Sequence, residues 1–157
     1  MLTKKTLTRR FLVQFFYQLF FSAQIDSVKK SLKTSFFSFK ESLENSELNE
    51  DGLDFKGLNE GFAIEIIETF EKRVEEINEK ISQNATEYPF EKIPFVDRAI
   101  LTIAICEMIF ISEPTPFKVV TDEAIELSKF FKDESSAGFV NGVLAKIIDE
   151  EKLEEKS

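Results

Sequence analysis

The sequence contains no histidine, no tryptophan and only one cysteine, Cys106. Without histidine, the chain lacks the side chain that most often acts as a general base and as a zinc ligand. A single cysteine cannot form an intramolecular disulfide, which is typical of proteins in a reducing compartment. We therefore expect a cytoplasmic binding protein with no catalytic activity, no metal and no cofactor.

Glycine and proline are also scarce, with five and four residues. Because glycine and proline are the residues that most often form turns, their scarcity favours a few long helices over many short strands. Phenylalanine, by contrast, occurs 18 times, and because its ring has no polar group, most of these residues are expected in a core. A chain of 157 residues is long enough for one domain with its own core but too short for two domains that each have a full core. We therefore assign residues 1–157 to a single domain.

Apolar residues recur at helical spacing along most of the chain. The pattern predicts helices over residues 6–22, 27–43, 57–85, 95–111, 119–131 and 135–150, with an acidic loop over 44–54. The helix over 95–111 is apolar nearly all round, as expected at the centre of a bundle. The predicted fold class is all-α, a helical bundle of about six or seven helices in two packed subdomains. Residues 1–5 are predicted to form a flexible basic arm and residues 151–157 a charged tail.

Local signals mark the ends of the later helices. Thr115 and Pro116 suit the N-cap and first position of one helix, and Ser135 or Ser136 can cap the last. Gly142 lies inside that last helix, where glycine costs about 1 kcal/mol relative to alanine. We interpret it as a point of close approach by another helix.

The N-terminus has the outline of a signal peptide, with basic residues followed by an apolar stretch. However, Gln14, Tyr17 and Gln18 interrupt that stretch at helical intervals, which favours an amphipathic helix of the mature protein. No other segment approaches the length needed to span a membrane. We therefore expect no membrane association.

Charge is divided between the two parts of the chain. Residues 1–40 contain eight Lys or Arg and one acid, giving +7, whereas residues 41–157 contain twelve bases and 28 acids, giving −16. A phosphate backbone responds to the field within a Debye length of about 8–10 Å, not to the total charge. The basic cluster of the first ten residues is therefore the candidate for binding RNA, while Lys29, Lys30, Lys33 and Lys40 are interpreted as a solvated helix face.

A helical wheel places Arg10, Gln14, Tyr17 and Phe21 within about 60° of one another on the first helix. This stripe combines a phosphate ligand, an amide able to contact base edges and rings for stacking, which is the chemistry of single-stranded RNA recognition. The alternative is that the aromatic pair packs on a neighbouring helix and the polar pair is solvated. The remaining candidate RNA-binding residues near this stripe are Lys4, Lys5, Arg9 and Gln18.

The last helix contributes two further candidates. Its core face is apolar, and Phe139 and Asn141 lie about 90–100° to either side of that face. Phe139 is predicted to stack on a base and Asn141 to contact the RNA beside it.

The C-terminal third carries the most specific motifs. Residues 116–129 have the sequence PFKVVTDEAIELSK, and residues 139–144 have FVNGVL. Together they resemble the NusB family of bacterial transcription antitermination factors. Residues 96–101 with Glu107 resemble the family's preceding helix. Residues 8–17 resemble its first helix, so the resemblance spans nearly the whole chain.

The resemblance implies an RNA-binding adaptor with an all-α fold. It implies binding of single-stranded boxA RNA from ribosomal operons together with NusE, a small-subunit ribosomal protein, and entry into the RNA polymerase antitermination complex. Family members occur as monomers and homodimers. The resemblance also places Phe139 at an aromatic RNA-facing position and Asp97 and Arg98 near the RNA and NusE surface, although an Asp in a first helical turn is also ordinary dipole chemistry.

Two other functions fit parts of the sequence. The acidic remainder suits a helical protein-interaction adaptor that docks a basic partner and has little RNA binding of its own. Cytosine RNA methyltransferases carry a NusB-like N-terminal domain, but this sequence shows no cofactor-binding region and no catalytic cysteine motif.

Overall fold

The fold was analysed in a computed structural model that describes residues 3–23, 32–44 and 58–152. The described residues form six α-helices and no strands, which confirms the predicted all-α class. The helices are α1 (Lys4–Ala23), α2 (Leu32–Glu44), α3 (Glu60–Asn84), α4 (Phe95–Ile105), α5 (Phe117–Phe131) and α6 (Glu134–Glu151). A short 3₁₀ turn, Phe90–Lys92, precedes α4.

Helix α4 occupies the centre of the bundle. It packs against α1, α3, α5 and α6, and α5 and α6 pack closely against each other. Every residue from Ala99 to Met108 is buried, as the apolar sequence of this segment predicts. Directly after Ile105 the helix continues as a π-helical turn, Cys106–Phe110.

Phenylalanine rings join α1, α2 and α3. Phe11 meets Phe36 edge to face at 5.4 Å between ring centres, and Phe16 meets Phe70 at 5.1 Å. Both contacts have the geometry that aromatic pairs prefer. One face of α1 is therefore fixed in the core, and the opposite face is left for solvent.

The helix caps differ from two predictions. Asp133, and not Ser135 or Ser136, caps α6, because its carboxylate accepts a hydrogen bond from the backbone N–H of Ser136. Thr115 does not cap α5; its hydroxyl instead donates to Glu107 at 3.0 Å. The residue at the N-cap of α5 is Pro116, and no side chain caps this helix.

The interpretation of Gly142 is wrong. A Cβ built there meets no atom within 4 Å, and the residue is exposed. The predicted loop lies largely outside the described residues, as do Lys29, Lys30 and residues 153–157 of the predicted tail.

Candidate nucleic-acid interface

Arg9 is the first predicted RNA ligand that the structure corrects. Its side chain is 3% exposed, and its guanidinium donates to both carboxylate oxygens of Glu107, at 2.7 and 2.8 Å. Glu123 lies 3.5 Å from the same guanidinium. Burial is the largest single effect and opposes the charge, but the hydrogen bonds to Glu107 and the negative charges of Glu107 and Glu123 together outweigh it, so the pKa of Arg9 is raised. Arg9 therefore joins α1 to the core and is not available to RNA.

Glu107 is the structural residue that sequence reasoning missed. It lies in the π-helical turn, is 1% exposed, and accepts hydrogen bonds from Arg9 and Thr115. π-helical turns are rare and often mark special sites. The sequence signals were its place in the family-like motif and an acidic residue within an apolar helix, which requires a partner when it is buried.

Lys4 and Lys5 belong to α1 and do not form a flexible arm. Both are exposed, and the Lys5 ammonium lies 5.2 Å from the centre of the Phe62 ring. The hydroxyl of Thr3 accepts a hydrogen bond from the backbone N–H of Thr6 at the start of the helix. Both ammonium groups are therefore held on the first turns of a helix, next to the surface that Arg10 begins.

The stripe predicted on α1 stays open to solvent. Tyr17 is 43% exposed and Phe21 50%, Gln18 is exposed, and Arg10 and Gln14 are half-buried. The guanidinium carbon of Arg10 lies 3.9 Å from the centre of the Phe130 ring on α5. This contact leaves the edge of the guanidinium free to donate hydrogen bonds.

The far end of the stripe meets α4. The Tyr17 ring contacts the Phe95 ring at 6.2 Å between centres, and Phe95 also contacts Phe20 at 6.5 Å. Arg98, one turn into α4, lies over the Phe20 ring at 4.0 Å. The structure therefore brings Arg98, which the resemblance implied near the RNA and NusE surface, next to the aromatic end of the α1 stripe.

Asp97 is not a surface residue, so its predicted role in partner binding is wrong. It is 1% exposed, its carboxylate accepts a hydrogen bond from the hydroxyl of Ser136, and Lys132 lies 3.5 Å away. These contacts tie the start of α4 to the start of α6. Asp97 is thus a packing residue of the core.

The two candidates on α6 have different environments. Phe139 is 8% exposed and packs edge to face against Tyr88 at 5.2 Å between ring centres, so the predicted stacking on a base is wrong. Asn141 is exposed in a groove between α5 and α6, next to Phe117, Lys118 and Asp122. No residue of α1 lines this groove, so Asn141 does not extend the stripe.

Neither a metal site nor a membrane span occurs in the ranges that the structure describes. Across 3–23, 32–44 and 58–152, Cys, Asp and Glu side chains form no group suited to holding a metal ion. No helix within these ranges is long and apolar enough to cross a membrane.

The fold and this surface define a small all-helical protein with one exposed face of arginine, amide and aromatic side chains. A family model described as the NusB family matches residues 6–149. The chain therefore belongs to the NusB family.

Similar proteins include the transcription antitermination protein NusB of Bacillus mycoides, which is 43% identical over 88 residues, covering 56% of this chain and 67% of that protein. The chain spans only 43% of the length of some other curated relatives. The structure of T. maritima NusB matches with a TM-score of 0.73 and 25% identity over 99% of both chains. A structure described as antitermination factors NusB and NusE in complex with dsRNA matches with a TM-score of 0.71, 21% identity and coverage of 95% and 98%, which shows the shared fold.

Proposed function

We propose that this protein is a transcription antitermination factor that binds boxA-type RNA of ribosomal operons together with NusE. In this role it joins the RNA polymerase antitermination complex as a non-catalytic adaptor in the cytoplasm. Its membership of the NusB family supports the proposal. The names of its relatives, and of a structural neighbour that contains NusB, NusE and RNA, point the same way.

The observation that carries the proposal is the open stripe on α1. Arg10, Gln14 and Tyr17 share one face of a helix whose other face is fixed in the core. A guanidinium binds phosphate, an amide can contact base edges, and an exposed ring stacks on a base. A single-stranded RNA leaves its bases free for these contacts.

The charge distribution supports one orientation for the RNA. The surface of α1 carries Lys4, Lys5 and Arg10 and no acid, whereas α3 and the end of α6 are rich in Glu. The acidic helices repel a phosphate backbone and the α1 surface attracts it. RNA is thereby directed to α1.

RNA titration tests the proposal. Changing Arg10 to Ala removes one phosphate contact, so the slope of log K against log salt is expected to fall by about 0.7 for a single strand. Changing Tyr17 to Ala removes a stacking ring, which costs about 1–3 kcal/mol of binding free energy. Lys72, exposed on α3, provides the control, and its change to Ala should leave affinity and slope unaltered.

Two results would contradict the proposal or favour the alternative. Unaltered affinity and slope in both α1 variants would remove the proposed site. Purified protein that captures NusE but retains no RNA, with or without NusE, would favour the helical protein-interaction adaptor, which the acidic surface of α3 could serve. Sedimentation of the free protein would show whether it forms the homodimer that the resemblance allows.

A further inference from the structure

Phe130, near the end of α5, is the large apolar side chain with the greatest exposure among the described residues, at 55%. A single exposed apolar residue is common on protein surfaces and needs no function by itself. Phe130 differs because a cation lies over its ring: the guanidinium carbon of Arg10 is 3.9 Å from the ring centre. The ring therefore belongs to the same surface as the stripe on α1, of which Arg10 is the first residue.

The position of this ring is fixed by its neighbour along α5. The rings of Phe130 and Phe131 meet edge to face, with 4.9 Å between their centres and planes 88° apart, which is a geometry that aromatic pairs prefer. Phe131 in turn packs against the hydrophobic core. Despite its contacts with Arg10 and Phe131, more than half of the Phe130 side chain faces solvent. The ring is thus a preformed surface for a flat ligand.

The charge of Arg10 is left for a ligand. Glu123 lies two turns before Phe130, on the same face of α5. Its carboxylate accepts a hydrogen bond from the Thr6 hydroxyl at 3.0 Å and lies 3.5 Å from the guanidinium of Arg9. Within the described parts of the chain, Arg10 forms no ion pair. A ring attracts a cation without cancelling its charge, so Arg10 can still bind an anion.

We propose that Phe130 stacks on a base of the RNA while Arg10 holds a neighbouring phosphate, so that the RNA passes from α1 onto the end of α5. An arginine and an open ring side by side match the phosphate and the base of a nucleotide. A carboxylate of a protein partner would use the guanidinium and leave the ring exposed. The inference rests on the proposed function and adds a residue to its site. The motif of residues 116–129 ends directly before Phe130, and the resemblance gives this residue no role.

RNA titration at several salt concentrations separates a stacking ring from a charge. Phe130→Leu keeps an apolar side chain but removes the ring, so it should weaken binding of single-stranded boxA-type RNA about tenfold. The salt slope should stay unaltered, because no phosphate contact is lost. Phe130→Tyr keeps the ring and should retain the affinity. Phe37→Leu is the matched control and should bind RNA like the wild type, because Phe37 is also exposed, at 40%, but lies on α2 against the ring of Phe36.

Abasic nucleotides identify the base concerned. Each position of the RNA is replaced in turn by a nucleotide that lacks its base. At the position that stacks on Phe130, this change should weaken binding to the wild-type protein about tenfold and leave binding to Phe130→Leu unaltered, because the contact is already absent there. Equal losses in both proteins at every position would show that the ring does not stack, and the inference would be overturned.

The outcomes separate this inference from the function on which it rests. If Arg10→Ala and Tyr17→Ala weaken RNA binding and Phe130→Leu does not, the extension to α5 is overturned and the proposed function stands. If none of the three variants changes RNA binding, both fail. If Phe130→Leu weakens capture of NusE while RNA affinity is unaltered, the ring belongs to a protein partner's surface and the inference is overturned.

A measurement on the wild-type protein removes any effect of a variant on folding. 5-Iodouridine is placed at each position of the RNA in turn, and the complex is irradiated so that the modified base forms adducts with the aromatic rings on which it stacks. An adduct on Phe130 would support the inference. Adducts found only on other residues would overturn it.

Discussion

The ion pair between Arg9 and Glu107 allows a quantitative prediction for stability. Both side chains are nearly inaccessible to solvent, at 3% and 1% exposure, and two short hydrogen bonds join them. Removing one partner of a buried pair leaves the other charge uncompensated, which costs about 3–5 kcal/mol. In Glu107→Ala, Arg9 keeps Glu123 at 3.5 Å, so we expect the lower end, a loss of about 3 kcal/mol in the free energy of unfolding.

Urea denaturation followed by circular dichroism measures this loss, and two variants serve as controls. Glu76→Ala breaks the exposed pair with Arg73, which should cost less than about 1 kcal/mol. The double variant Arg9→Met with Glu107→Leu replaces both charges by apolar groups and is expected to recover most of the loss, because neither buried charge remains.

The reasoning is refuted by either of two results. A loss below about 1 kcal/mol in Glu107→Ala would mean that the pair behaves as a surface interaction. A double variant as unstable as the sum of its two single variants would mean that the side chains act independently and do not neutralise each other.

Three further predictions concern single residues. Burial, with a contribution from Glu107, raises the pKa of the Cys106 thiol, so thiol reagents at pH 8 should label the chain only after unfolding; rapid labelling of the folded protein would contradict this. Gly142→Ala should raise the free energy of unfolding by about 1 kcal/mol, because the added methyl meets nothing within 4 Å, and thermal unfolding that occurs no higher would count against it. Asp133→Ala should lower this free energy by about 1 kcal/mol through loss of the cap on α6, whereas Asp133→Asn should largely retain it in the same denaturation assay.

Local signals predicted the helices well. The described helices begin and end within a few residues of the predicted ones, since hydrophobic periodicity records which face of each helix is buried. The same periodicity predicted that Tyr17 and Gln18 lie on an outer face. The residues typical of helix caps were less informative. Thr115 was predicted to cap α5, but its hydroxyl donates a hydrogen bond to the buried carboxylate of Glu107.

Contacts between distant residues could not be predicted from single residues. Arg9 looked like a surface cation beside Arg10, but its partner Glu107 is 98 positions away. From the sequence, Phe139 was predicted to lie at the edge of the apolar face, but in the structure the ring of Tyr88 packs against it. A helical wheel gives the direction of a side chain, but it does not show which neighbouring element lies in that direction.

The π-helical turn after α4 also bears on which changes in chain length the fold accepts. A π turn holds one residue more than a regular α-helix would need over the same path. Deleting one residue from Cys106–Phe110 would therefore let a regular α-helix follow that path, and the segment leading to α5 would keep its direction. Deleting one residue from α4 before Cys106 would instead rotate all that follows by about 100° and shift it by about 1.5 Å. Single-residue deletions among related chains should therefore occur in residues 106–110 and not in residues 95–105.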